Sequence, residues 1–151
     1  MSNPRAKASI AGIPIHAVLV PFPFACFVLT LLSDLAYWET ASMQWANMSV
    51  WLLTVGLIVA LFAVIAGLID FLGERRMWRL RAVYIHACGN AVALLLALAN
   101  AFIHSRDAYT SVVPTGLTLS ALTVLIMAVT GWMGWRLVYR HRIGVRSEGD
   151  Q

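Results

Sequence analysis

The stretch VWLLTVGLIVALFAVIAGLI, Val50–Ile69, decides the fold: twenty residues in which Thr54 is the only polar side chain. An α-helix rises 1.5 Å per residue, so such a run is about 30 Å long, the thickness of a bilayer's hydrocarbon core. Three more stretches have this character. Ile13–Leu32 precedes it; Ala82–Ile103, carrying His86, Asn90 and Asn100, and Leu117–Trp135, rich in Gly, Ser and Thr, follow it. With their polar ends included, the predicted helices cover about 13–33, 50–70, 82–104 and 117–137 of a single domain, 1–151. Hydrocarbon offers the backbone no hydrogen-bond partner, so spanning segments must be helices or closed barrels. The ten-residue alternating segments of a barrel are absent. The expected fold is all-α: an integral membrane, up-down four-helix bundle.

Composition agrees. The chain is 60% hydrophobic and 12% charged with a mean hydropathy of +0.77, against about 45–50% and 25% in soluble domains. A soluble enzyme and a disordered tail are both excluded. The net charge of +4 does not point to nucleic acid, because the basic residues flank apolar runs. With the N-terminus inside, Arg5, Lys7, Arg75, Arg76, Arg79, Arg81, Arg136, Arg140, Arg142 and Arg146 all fall on the inner side. Only Arg106 falls outside. That asymmetry predicts cytoplasmic termini in a bacterial inner membrane, with the basic tail on anionic lipid.

The first apolar stretch is too long for a signal-peptide core and no A-x-A-like site follows it, so it reads as a retained helix. The connections are expected at 34–49, 70–81 and 104–116. Tyr37, Trp38, Trp45 and Trp51 read as an outer interfacial belt, and Trp78, Trp132 and Trp135 as an inner one. Cys26 and Cys88 lie inside apolar runs and read as free thiols.

Polar groups inside a bilayer are costly and therefore informative. Each helical residue advances about 100°, which puts His86, Asn90, Asn100 and His104 on one stripe of the third helix. Asp34 follows His16 by the same 18 positions that separate His104 from His86. Pro21 and Pro23 are expected to distort the first helix. Helices one and three run in the same direction and should stand diagonally across the bundle. His16 and His86 then lie at similar depth near the inner side. Asp34 and His104 lie about 27 Å away, as a polar pair near the outer interface. Asp70, at the inner end of the second helix, is expected to lock onto Arg75, Arg81 or Arg136.

Two imidazoles facing each other from diagonal helices are what a six-coordinate b-type haem requires. On that reading His16 and His86 are the iron ligands, Asn90 hydrogen-bonds within the pocket, and Arg81 or Arg136 meets the haem propionates. The protein would pass electrons within or across the membrane. One haem leaves the outer half without a relay, because His104 stands alone there and His141 is in the tail. A redox partner, a quinone or a homo-oligomer would complete the path. Two other readings stay open. In one, His16, His86 and Asn90 serve only as interhelical glue in a structural or partner-binding subunit without cofactor. Asp34, His104 and Asp70 suit a small-solute or proton carrier. No GxSxG, HExxH, P-loop or GxGxxG motif occurs.

Particular residues carry a resemblance. Ile13-Pro14-Ile15-His16 is followed by Leu19-Val20-Pro21-Phe22-Pro23, then by Gly67-Leu68-Ile69-Asp70, His86 with Asn90, Gly131-Trp132-Met133-Gly134, and Leu137-Val138-Tyr139-Arg140-His141 with Gly144-Val145. Together they resemble a family of small four-helix bacterial inner-membrane proteins of unknown function, whose members typically open His-Pro-Ile-His and continue to a Phe-Pro pair. Ile13 stands where the first of those histidines usually stands, and His16 is retained. The resemblance covers nearly the whole chain. It implies the four-helix fold and a cytochrome b-like role.

The charge asymmetry predicts that a fluorescent protein fused after Gln151 matures, whereas alkaline phosphatase fused there is inactive. Active phosphatase at that position would reverse the topology.

Overall fold

The computed structural model describes residues 6–106 and 111–141, with backbone alone at 140 and 141. Arg5, Arg142, Arg146 and the side chains of Arg140 and His141 lie outside the described residues. A two-stranded ribbon, β1 (Ser9–Ile10) and β2 (Ile13–Pro14), precedes the helices. Its turn is Ala11–Gly12, both with positive φ (51° and 78°), the left-handed region that a tight hairpin turn needs.

The first span is α1 (Ile15–Leu19) continued by α2 (Pro21–Thr40). The expected distortion falls at Val20, since Pro21 and Pro23 have no N–H to continue the ladder. The next spans are α3 (Met43–Gly73) and α4 (Arg81–His104). A turn at Val112–Gly116 then leads into α5 (Leu117–His141). Helix α2 packs on α3 and α5, and α4 packs on the same two, so α2 and α4 occupy opposite corners. Each of the four spans is long and apolar enough to cross a membrane. The molecule is a multi-pass membrane bundle.

The helices are longer than the sequence reading gave. At 31 residues α3 is about 46 Å long, well beyond the hydrocarbon thickness. Apolar counting found only the lipid-depth part of each helix. Helical hydrogen bonding continues into the polar margin, so the first connection shrinks from 34–49 to Ala41 and Ser42. Tyr37 is consequently not a belt residue: it is buried with Ala46 and Val112 under the end of the bundle where α2 meets α3. Trp38, Trp45 and Trp51 are exposed there, as a belt requires.

Packing is inverted relative to a soluble protein. The buried side of α3 is built from small residues, Ala46, Ser49, Gly56, Ala60, Ala63 and Ala66, while Trp51, Leu61 and Phe62 face outward. Small interfacial residues let backbones approach where no hydrophobic effect drives helices together. At mid-depth Phe27, Leu53, Ala93, Ala97 and Met127 form an apolar layer to which all four spans contribute.

Gly56 sets the closest approach in this layer. A Cβ there would lie 2.8 Å from Phe27 Cε1 and 3.0 Å from Cys26 Cβ. Gly56→Leu should therefore lower stability in detergent by about 1–3 kcal/mol through overpacking, while Ile58→Leu, on the lipid face, should not. Thermal unfolding followed by circular dichroism checks both.

Candidate functional site

Two groups of interhelical polar residues lie on either side of the apolar layer, a half-buried one and a buried one. The inner group is built around His16 and His86, which open the first and third spans. His16 Nδ1 donates to Ala63 O of α3 at 2.8 Å, and His86 Nδ1 donates to Thr130 O of α5 at 2.9 Å. A carbonyl only accepts, so each Nδ1 carries the proton and, in the neutral ring, each Nε2 is the acceptor nitrogen; that of His86 lies 3.3 Å from Asn90 Nδ2.

Both rings also rest on a glycine four residues beyond their carbonyl partner. A Cβ at Gly67 would lie 2.8 Å from His16 Nδ1, and one at Gly134 would lie 2.9 Å from His86 Cε1. The unit of histidine, carbonyl and glycine is thus built twice, once in each half of the chain. The two rings stand edge to face, with centroids 6.3 Å apart. The expected diagonal pairing at equal depth is the arrangement found.

Supporting contacts are unequal. Asn90 Nδ2 donates to His86 O at 2.8 Å, close to the His86 ring, and Asn90 Oδ1 accepts from Thr130 Oγ1 at 3.1 Å. His86 is therefore clamped between α4 and α5. His16 is fixed through the chain before it: Asp70 Oδ1 accepts from Ala8 N at 2.7 Å, and Ala8 O accepts from Ile15 N at 2.9 Å. This corrects the expected lock of Asp70 on arginine. Arg75, Arg81 and Arg136 are all exposed, where a guanidinium keeps its hydration, and the ribbon's N–H reaches the carboxylate instead. Arg81 opens α4 five residues before His86. Arg136 lies away from the histidines, in an outward groove with Trp132, Trp135 and Tyr139.

The outer group joins all four spans. Asp34 Oδ1 accepts from Ser49 Oγ at 2.6 Å and from His104 Nε2 at 2.9 Å. Asp34 Oδ2 accepts from Ser120 Oγ at 2.6 Å, and Ser120 Oγ accepts from Asn100 Nδ2 at 2.8 Å. His104 Nδ1 donates to Asn100 O at 3.1 Å, so both ring nitrogens face acceptors. The imidazole is thus held at both nitrogens, by the carboxylate of α2 and by a carbonyl of its own helix. Asp34 and His104 are 0% and 4% exposed. The pair was expected at the interface; continuation of α2 to Thr40 and the cover of Tyr37 and Val112 bury it. Sequence reading also missed Ser49 and Ser120, two ordinary serines that only the inward register of α3 and α5 marks out. Among the described residues no cluster of three or more metal-ligating side chains forms.

Removing one partner of a buried ion pair strands the other, at about 3–5 kcal/mol, whereas replacing both with apolar residues costs far less. Asp34→Leu alone should be strongly destabilising, and adding His104→Leu should recover most of the loss. Additive losses in thermal unfolding would show that the pair is not coupled.

No curated protein and no solved structure matches the chain. A family model described as "Predicted membrane protein (DUF2231)" matches residues 12–147, nearly the full length. The chain belongs to this DUF2231 family of predicted membrane proteins.

Proposed function

We propose that the protein is a b-type haem protein of the bacterial inner membrane, with both termini cytoplasmic, and that His16 and His86 would hold the haem iron. The observation that carries this reading is the duplicated histidine unit. A metal-binding imidazole usually donates its other N–H to a carbonyl or carboxylate, which fixes tautomer and orientation. Both rings do this through Nδ1. The rings that would hold the iron face each other from α1 and α4. The separation here is 6.3 Å. Haem would supply reversible one-electron transfer.

The chain's own residues hold and orient. The carbonyls of Ala63 and Thr130 set the ring directions. Gly67 and Gly134 admit the rings between helices, and Asn90 with Thr130 braces His86. Of the two arginines, Arg81 is the better partner for a propionate, because Arg136 faces outward. One redox centre on one side of the apolar layer implies an external donor and acceptor, such as a quinone, a membrane partner or a second copy.

A second reading is favoured by the edge-to-face contact itself: the same residues act as a polar clasp in a subunit without cofactor. The carrier reading has less support, because the layer from Phe27 to Met127 separates the two polar groups.

Protein purified from haem-supplemented cells should show a Soret band, with sharp α and β bands on reduction. His16→Gln and His86→Gln should each lose the low-spin spectrum while keeping the wild-type elution profile, and His141→Ala should retain it. Haem persisting in both glutamine variants, or never co-purifying with well-folded wild type, would remove the assignment and leave the clasp.

A further inference from the structure

The outward groove on α5 contains no residue of either polar group. We infer that it is a binding site for the headgroup of an anionic phospholipid, with Arg136 as the phosphate ligand. The groove has a volume of about 360 Å³ and is lined by Trp132, Trp135, Arg136 and Tyr139. Trp132 and Trp135 stack with centroids 5.6 Å apart, and Trp135 meets Tyr139 at 4.9 Å, forming one aromatic wall along the helix. These rings are not core residues: Trp132, Trp135 and Tyr139 are 65%, 55% and 67% exposed.

Depth identifies the occupant. From Leu117, the first residue of α5, to Arg136 is about 29 Å along the axis, close to the full hydrocarbon thickness. The apolar run Leu117–Trp135 nearly fills that thickness, which puts Arg136, the residue after it, at the level of phosphate groups. Trp132 and Trp135 lie just inside that level, where indoles favour the boundary between acyl chain and headgroup.

Charge narrows the class. No carboxylate lines the groove, and among the described residues Arg136 makes no ion pair. A guanidinium at this depth is satisfied by phosphate oxygens, which it engages through two parallel N–H donors. The aromatic wall beside it covers the glycerol and the first methylenes of the chains. A lipid of net negative charge fits this site better than a zwitterionic one, whose ammonium group would meet the same arginine.

The test is a lipid titration of the full-length protein in detergent, read by native mass spectrometry. Phosphatidylglycerol should be retained in preference to phosphatidylcholine of the same chains. Arg136→Gln should lower that retention about fivefold, the effect of one basic residue at an anionic surface. Arg136→Lys should lower it less, since charge survives without the fork. Arg75→Gln, which removes an exposed arginine from the turn after α3, should leave it unchanged. Equal retention of the two lipids by wild type would overturn the proposal. So would equal losses in Arg136→Gln and Arg75→Gln, which would mean diffuse surface charge.

Discussion

Hydrocarbon cannot hydrogen-bond, and most of this architecture follows from that constraint. A polar side chain at lipid depth must find its partner inside the protein. Some bond their own helix, as Thr30 does to Cys26 O, but the residues of the two polar groups also find partners on neighbouring helices. His16 reaches α3, His86 and Asn90 reach α5, and Asp34 gathers hydroxyls from α3 and α5 and an imidazole from α4. Each bond ties two spans together, so the polar residues set the bundle's register. The small residues on the inward side of α3 let the helices come close enough for those bonds to form.

Glycine is the complement of histidine in this arrangement. Each described histidine packs against a position where a Cβ would collide with it: Gly67 for His16, Gly134 for His86, and Gly116 for His104. An imidazole is too bulky to lie between two close-packed helices unless one of them gives up a side chain. The paired appearance of the two residue types is therefore a steric necessity, and it recurs in both halves of the chain with the same four-residue offset from carbonyl to glycine.

The bundle, the four spans and the diagonal facing of His16 and His86 were legible in the sequence, because hydropathy and the 3.6-residue period report directly on lipid exposure. Helix ends were not legible, since polar residues such as Glu39 and Gln44 continue a helix into the headgroup region and carry no apolar signal. The outer group was half visible. Asp34 and His104 announce themselves as charges in the wrong solvent, but Ser49 and Ser120 are indistinguishable from serines that bond their own helix, as Ser33 does to Leu29 O. Asp70 was visible and its partner was not, because a backbone N–H has no letter in the sequence.

The mid-depth layer of Phe27, Leu53, Ala93, Ala97 and Met127 has an electrical consequence. Its five side chains carry no charge, so in a membrane it acts as the insulating slab of a capacitor, and a share of the membrane voltage falls across it. A charge that stays at the histidine pair moves through little of that voltage. A charge carried from there to the Asp34 level would traverse most of it, at about 2.3 kcal/mol per elementary charge per 100 mV. Any exchange confined to the histidine side is thus nearly voltage-independent, and any exchange linking the two ends is electrogenic.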